Sequence, residues 1–158
     1  MTPIEELEEK AVEFYLKKEY LVSFLLFHTL TESLLRKFLK NEKREIRFSD
    51  LISKLENFLS KPPYRQPLKS IKATTIQLIR YNKFRNKLIH TLWKYGYKRW
   101  NALCKKAAQR GYIVYLLLAE YLETFDNQIG LDFTKSKILN DVFEKILKDY
   151  NLVSKEES

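Results

Sequence analysis

Apolar residues recur every three or four positions along most of the chain, the period of a helix with one buried face. A first stripe of Ile4, Leu7, Ala11 and either Phe14 or Tyr15 runs to about Lys17. Thr2, Pro3 and Glu5 mark its start as cap, first-turn proline and capping-box partner. The acids Glu5, Glu6, Glu8 and Glu9 read as a solvated face that suits a helix N-terminus. A second stripe of Leu21, Phe24, Leu25, Leu35 and Leu39 predicts a helix from about Glu19 to Lys40. After a charged connection from Asn41 to Arg47, Ser49 or Asp50 can cap a shorter helix, Leu51 to Leu59. Three prolines among residues 61–67 forbid a continuous helix there and predict a loop. A fourth helix follows from about Leu68 to Trp93, and Tyr95-Gly96-Tyr97 breaks it. A fifth runs from about Lys98 to Asn127, with Gly111 as a place where it can bend. Beyond a break at Gly130, Ile138, Val142, Ile146 and Leu147 predict a last helix over about Lys135 to Tyr150, capped by Thr134 or Asp132. The tail Ser154 to Ser158 is expected to fray.

The pattern predicts an all-α fold: one domain over residues 1–158, an antiparallel bundle of four to six helices. Its core is expected over about residues 3–127. Three glycines and four prolines leave long segments free of breakers. The single cysteine, Cys104, cannot form an internal disulfide, which fits a reducing cytosol. It reads as a buried structural thiol. The opening Met-Thr-Pro-Ile-Glu-Glu lacks the basic start and apolar run of a secretory signal. The longest apolar run, Ile113 to Ala119, is too short to span a bilayer. The expected setting is therefore cytoplasmic, with no membrane association.

Charge changes the picture. No Asp or Glu occurs from Asn57 to Ala119, while that run holds fourteen Lys and Arg. The whole chain has 29 basic and 20 acidic residues, so the rest of it holds only fifteen bases against those twenty acids. The positive charge is thus concentrated on the fourth helix and its neighbours, as expected of a protein that meets a polyanion, most plausibly nucleic acid. A basic surface that is merely solvated is the plainer alternative.

Within this run lies Arg85-Asn86-Lys87-Leu88-Ile89-His90. Asn86 and His90 are four residues apart and share a helix face. Arg85 falls among Leu78, Tyr81, Leu88, Ile89 and Leu92, where an unpaired guanidinium is costly. The second helix has its own polar interruptions, His28 and Glu32. His28 reads as a satisfied core or boundary residue, with a supporting role in a site as the alternative. Glu32 needs a cation as Arg85 needs a carboxylate, so the two are expected to pair, unless helix rotation leaves Glu32 in solvent. No zinc-ligand spacing, carboxylate cluster or glycine-rich phosphate loop is present, and no metal or other cofactor is expected. Metal-free RNA cleavage remains open, because RNA carries its own 2′-hydroxyl nucleophile. Histidine supplies acid and base near neutral pH, and arginine a fork for phosphate oxygens. One such histidine per chain, against a reaction needing both an acid and a base, points to a two-fold homodimer.

At these residues the chain resembles the HEPN family, whose members carry R-x-x-x-x-H on a late helix of a small helical bundle. The short acidic first helix, the kink near Lys17 to Tyr20 and the polar residues inside the second helix are similar too. The resemblance covers about residues 3–127. It implies a metal-independent endoribonuclease, dimeric, leaving 2′,3′-cyclic phosphate ends, often a toxin or a defence factor, with an antitoxin protein as a candidate partner. Arg85 would stabilise the phosphate, His90 would transfer protons, and Asn86 would position His90 or the substrate. Glu32 and His28 would support them, and Lys83, Lys87, Arg80 and Lys94 would bind RNA. Family toxins paired with a nucleotidyltransferase antitoxin usually carry a tyrosine two residues after the histidine, where this chain has Leu92. Two other readings stay open: a bundle that binds RNA without cutting it, and an interaction subunit whose basic face meets an acidic protein.

Overall fold

A computed structural model describes residues 2–41, 43, 45–129, 144, 145 and 148. Five helices, α1 (Pro3–Leu16), α2 (Tyr20–Phe38), α3 (Phe48–Ser60), α4 (Leu68–Tyr95) and α5 (Tyr97–Glu123), pack as an antiparallel bundle, with no strand among the described residues. The last helix expected over 135–150 lies outside the described residues.

The start of α1 follows its sequence. Thr2 Oγ1 accepts from the Glu5 backbone N–H at 3.2 Å, and Glu5 returns the bond to the Thr2 N–H at 2.9 Å. Tyr15 rather than Phe14 completes the stripe, buried with Ala11 and Val12. One member of the acidic face departs from expectation: Glu8 is fully buried. Its Oε1 accepts from the Tyr115 hydroxyl at 2.6 Å, and burial pushes its carboxyl up to about 7. Helix periodicity alone placed Glu8 with Glu5, Glu6 and Glu9, but α5 covers that turn and supplies the tyrosine.

The kink between α1 and α2 is made by Lys18, at a left-handed φ of 62°. Asn101 of α5 clamps it, donating to the Lys18 carbonyl at 3.0 Å and accepting from the Leu21 N–H at 2.9 Å. The second bond satisfies an N-terminal amide of α2, which has no cap of its own. Helix α2 is the hub of the bundle and touches each of the other four helices. It buries Phe24, Phe27, Leu30, Leu34 and Leu35 completely. Phe24 meets Tyr81 and Phe84 of α4 edge-on, at 4.8 and 5.2 Å between ring centres, and Phe27 meets Tyr112 of α5 at 4.9 Å.

Helix α3 begins at Phe48, earlier than expected, and neither Ser49 nor Asp50 caps it. The cause is tertiary. Phe48 is buried against His28, 4.7 Å between ring centres, and this contact draws it into the helix. Gly96 alone joins α4 to α5, with φ 82°, a conformation few other residues adopt. Gly111 does not interrupt α5. Its missing side chain makes room for Tyr81: an added Cβ would lie 2.9 Å from Tyr81 Cζ and closer still to the hydroxyl. Cys104 is buried, and burial pushes its thiol up to about 11.

Candidate functional site

The two polar interruptions of α2 and the motif arginine of α4 open onto one cleft. It is about 330 Å³ in volume and is walled by α2, the connection into α3, and α4. His28, Glu32 and Arg36 line it from α2; Ile46, Arg47, Phe48 and Ser49 from the connection and the α3 start; Asn82, Arg85 and Asn86 from α4. The local reasons are simple. Residues 28, 32 and 36 fall one turn apart on α2, and residues 82, 85 and 86 fall within one turn on α4. Phe48 closes the end of the cleft by packing on His28.

His28 forms the floor, only 4% exposed. Its ring lies against Phe48 and against Tyr81, 4.7 and 5.1 Å between ring centres. Its Nε2 is 3.3 Å from Asn82 Oδ1, a bond made by the tautomer with its proton on Nε2. Burial pushes His28 down to about 4, and the Arg85 charge pushes the same way. Glu32 and the Asn82 bond oppose them without prevailing. His28 is therefore neutral at pH 7 and adds no charge to the cleft.

The expected ion pair between Glu32 and Arg85 is not formed. Glu32 pairs instead with Arg36, one turn along α2, at 3.0 Å. Arg36 also donates to the carbonyls of Lys43 and Ile46, both at 2.6 Å. A guanidinium already anchored by two carbonyls at the right spacing takes the carboxylate without crossing the cleft. Arg85 is left half-buried, donating to Asn86 Oδ1 at 3.3 Å. Among the described residues no carboxylate lies within ion-pair distance of it. Three arginines, Arg36, Arg47 and Arg85, thus line a cleft with one carboxylate, which Arg36 pairs, a setting suited to an anion such as phosphate.

The structure brings Arg85, Asn86, Glu32 and His28 together and leaves His90 apart. His90 is exposed one turn beyond Asn86 on α4 and does not line the cleft; its carbonyl accepts from Trp93 Nε1 at 3.0 Å. Arg80, Lys83, Lys87 and Lys94 are all exposed. Of these, Arg80 lines a separate pocket between α4 and α5, together with Lys106 and Arg110. Sequence reasoning missed Asn82, Arg36 and Arg47. Helical spacing could have found the first two, each four residues from a residue already singled out. Arg47 lies in an irregular connection, where no periodicity points.

Among the described residues, no three His, Cys, Asp or Glu side chains gather as metal ligands would. No helix among them is long and apolar enough to cross a membrane. No protein-family model matches the chain, and neither does any curated protein or solved structure.

Proposed function

We propose that the protein is a metal-independent endoribonuclease of the HEPN type, acting as a two-fold homodimer. One observation carries the reading: Arg85 and Asn86 open onto an arginine-lined cleft while His90 stands exposed one turn along the same helix. RNA phosphate sits at the cleft mouth against Arg85. His90 of one chain takes the proton of the 2′-hydroxyl, and the 2′-oxygen attacks the phosphorus. The P–O5′ bond breaks, and His90 of the partner subunit gives a proton to the departing 5′-oxygen. The products are a 2′,3′-cyclic phosphate and a 5′-hydroxyl. Arg85 offsets the charge that builds on the phosphorane, where a fixed guanidinium helps most. His28, neutral and held by Asn82, keeps the cleft in shape. A toxin or defence role, with an antitoxin protein as partner, accords with this chemistry.

The test is incubation of purified protein with mixed RNA in EDTA, followed by mapping of the cut ends. His90→Ala is expected to slow cleavage by roughly 10²–10⁴-fold, the usual worth of a general acid or base. Its RNA affinity should change far less, because binding comes from Lys and Arg spread over the acid-free run. DNA should resist cutting, since it lacks the 2′-hydroxyl. A His90→Ala protein that cuts at the wild-type rate, or a wild-type protein that cuts DNA equally well, overturns the mechanism.

The separation of His90 from the cleft within one chain favours a second reading, a bundle that binds RNA or an acidic protein without catalysis. Tight, salt-sensitive RNA binding with no cut ends selects the RNA-binding form of it, and failure to bind RNA selects the protein-binding form.

A further inference from the structure

Residues 93–99 read Trp-Lys-Tyr-Gly-Tyr-Lys-Arg, and all seven are exposed. Three are aromatic and three cationic, and the seventh is the glycine on which α4 turns into α5. Single exposed apolar residues are ordinary; three aromatic rings at one corner, interleaved with three cations, are not scatter. Trp93 is 83% exposed, and Tyr95 and Tyr97 are 41% and 47% exposed.

The rings are held in place. Trp93 Nε1 donates to the His90 carbonyl at 3.0 Å, so the indole keeps a fixed position with most of its surface open. Tyr95 carries Arg99 over its ring at 4.8 Å and Lys94 at 5.5 Å. The Tyr97 hydroxyl donates to the Glu19 carboxylate. Rings ordered before binding cost less entropy when a planar ligand arrives. Trp93 lies one turn beyond His90 on α4, so the corner continues the line from Asn86 through His90.

We propose that this corner is a stacking platform for single-stranded RNA, holding bases next to the phosphate that His90 addresses. The choice of RNA rests on the ribonuclease reading. The platform itself rests on the rings and their cations. Bases stack on aromatic faces whatever their sequence, and the flanking Lys and Arg meet the phosphates between them. An acidic protein surface would satisfy the cations but leave the open Trp93 indole in water.

Trp93 also provides a signal in the wild type, because the other tryptophan, Trp100, is buried. The protein is titrated in EDTA into a fluorescein-labelled 2′-O-methyl oligouridine, an RNA-like strand without the nucleophile; anisotropy of the strand gives the affinity of every variant, and tryptophan emission is followed in the wild type. Quenching is expected, and Trp93→Ala should weaken binding by roughly 5- to 150-fold, the worth of one stacked base. Trp93→Phe should keep most of the affinity. Melting temperature should hold in both, since neither change touches the core. Trp93→Ala that binds as tightly as wild type overturns the platform and leaves the ribonuclease reading standing. A wild-type protein that binds neither this strand nor natural RNA overturns both. Loss of dimer on Trp93→Ala, seen by sedimentation with strand affinity retained, makes Trp93 a subunit contact and overturns the platform.

Discussion

Arg36 decides which residues pair in the cleft. It holds the Glu32 carboxylate and two carbonyls of the connection into α3 at once, with its side chain 18% exposed. Hydrogen bonds from a charged donor contribute about 1.5–3 kcal/mol each, while a partly exposed i,i+4 ion pair contributes under about 1 kcal/mol. The carbonyl bonds therefore matter more than the ion pair. Arg36→Ala should lower unfolding stability by about 3 kcal/mol, whereas Glu32→Gln should cost under about 1 kcal/mol, both read from urea unfolding midpoints. Equal losses in the two variants would show that the ion pair, not the anchoring of the connection, is the stabilising feature. Neither change removes Arg85 from the cleft. If Arg85 holds phosphate, Glu32→Gln should keep cleavage within a few-fold of wild type, and a large loss would give Glu32 a direct part in the site.

At the scale of elements, α5 is shaped by what crosses it. Tyr81 reaches from α4 over Gly111 to donate to the Phe24 carbonyl of α2 at 3.1 Å, tying three helices through one hydroxyl. An alanine at 111 would place a methyl against that ring, and the fixed hydroxyl cannot yield without losing its bond. Overpacking of this kind costs about 1–3 kcal/mol, so Gly111→Ala should melt lower despite alanine's better helix propensity. A higher melting temperature would show that Tyr81 moves aside freely. This glycine also marks where sequence stops being legible. Helix ends written by local chemistry were readable: Thr2 and Glu5 at the start of α1, the prolines before α4, Gly96 between α4 and α5. Ends and roles set by distant partners were not. Phe48 joins α3 because His28 waits for it, and Glu8 is buried because Tyr115, 107 positions away, covers it. The site was legible in the same partial way. Polar residues inside apolar stripes announced His28, Glu32 and Arg85. That Glu32 would choose Arg36, and that His90 would stay outside the cleft, depended on side-chain reach across packed helices.

For the molecule as a whole, two buried titratable groups pull stability in opposite directions with pH. Glu8, between α1 and α5, has its carboxyl raised from 4.5 to about 7, chiefly by burial; Glu5 and Glu9 add to the rise and Tyr115 opposes it. As pH climbs, the unfolded chain releases this proton first, so stability falls between 4.5 and 7 and then levels off. His28, between α2, α3 and α4, is lowered from 6.5 to about 4 by burial and Arg85, against Glu32 and Asn82. As pH drops, the unfolded chain gains that proton first, so stability falls from 6.5 down to 4. Each shift corresponds to about 3 kcal/mol in full, large beside the usual 5–15 kcal/mol of a domain. Over their common window the two slopes nearly cancel, and single variants should unmask them. Measured against wild type across pH 4–8 by urea unfolding, Glu8→Gln should become relatively more stable as pH rises, by about 3 kcal/mol over the range. His28→Gln should become relatively less stable over the same rise, by a similar amount. Changes common to the other titrating groups drop out of both differences. Curves that stay parallel to wild type would mean that water reaches both groups and that neither carries a shifted proton in the folded chain. If only the His28→Gln curve tilts, the Glu8 carboxyl is ionised beside Tyr115, and the contact between α1 and α5 is a charged one.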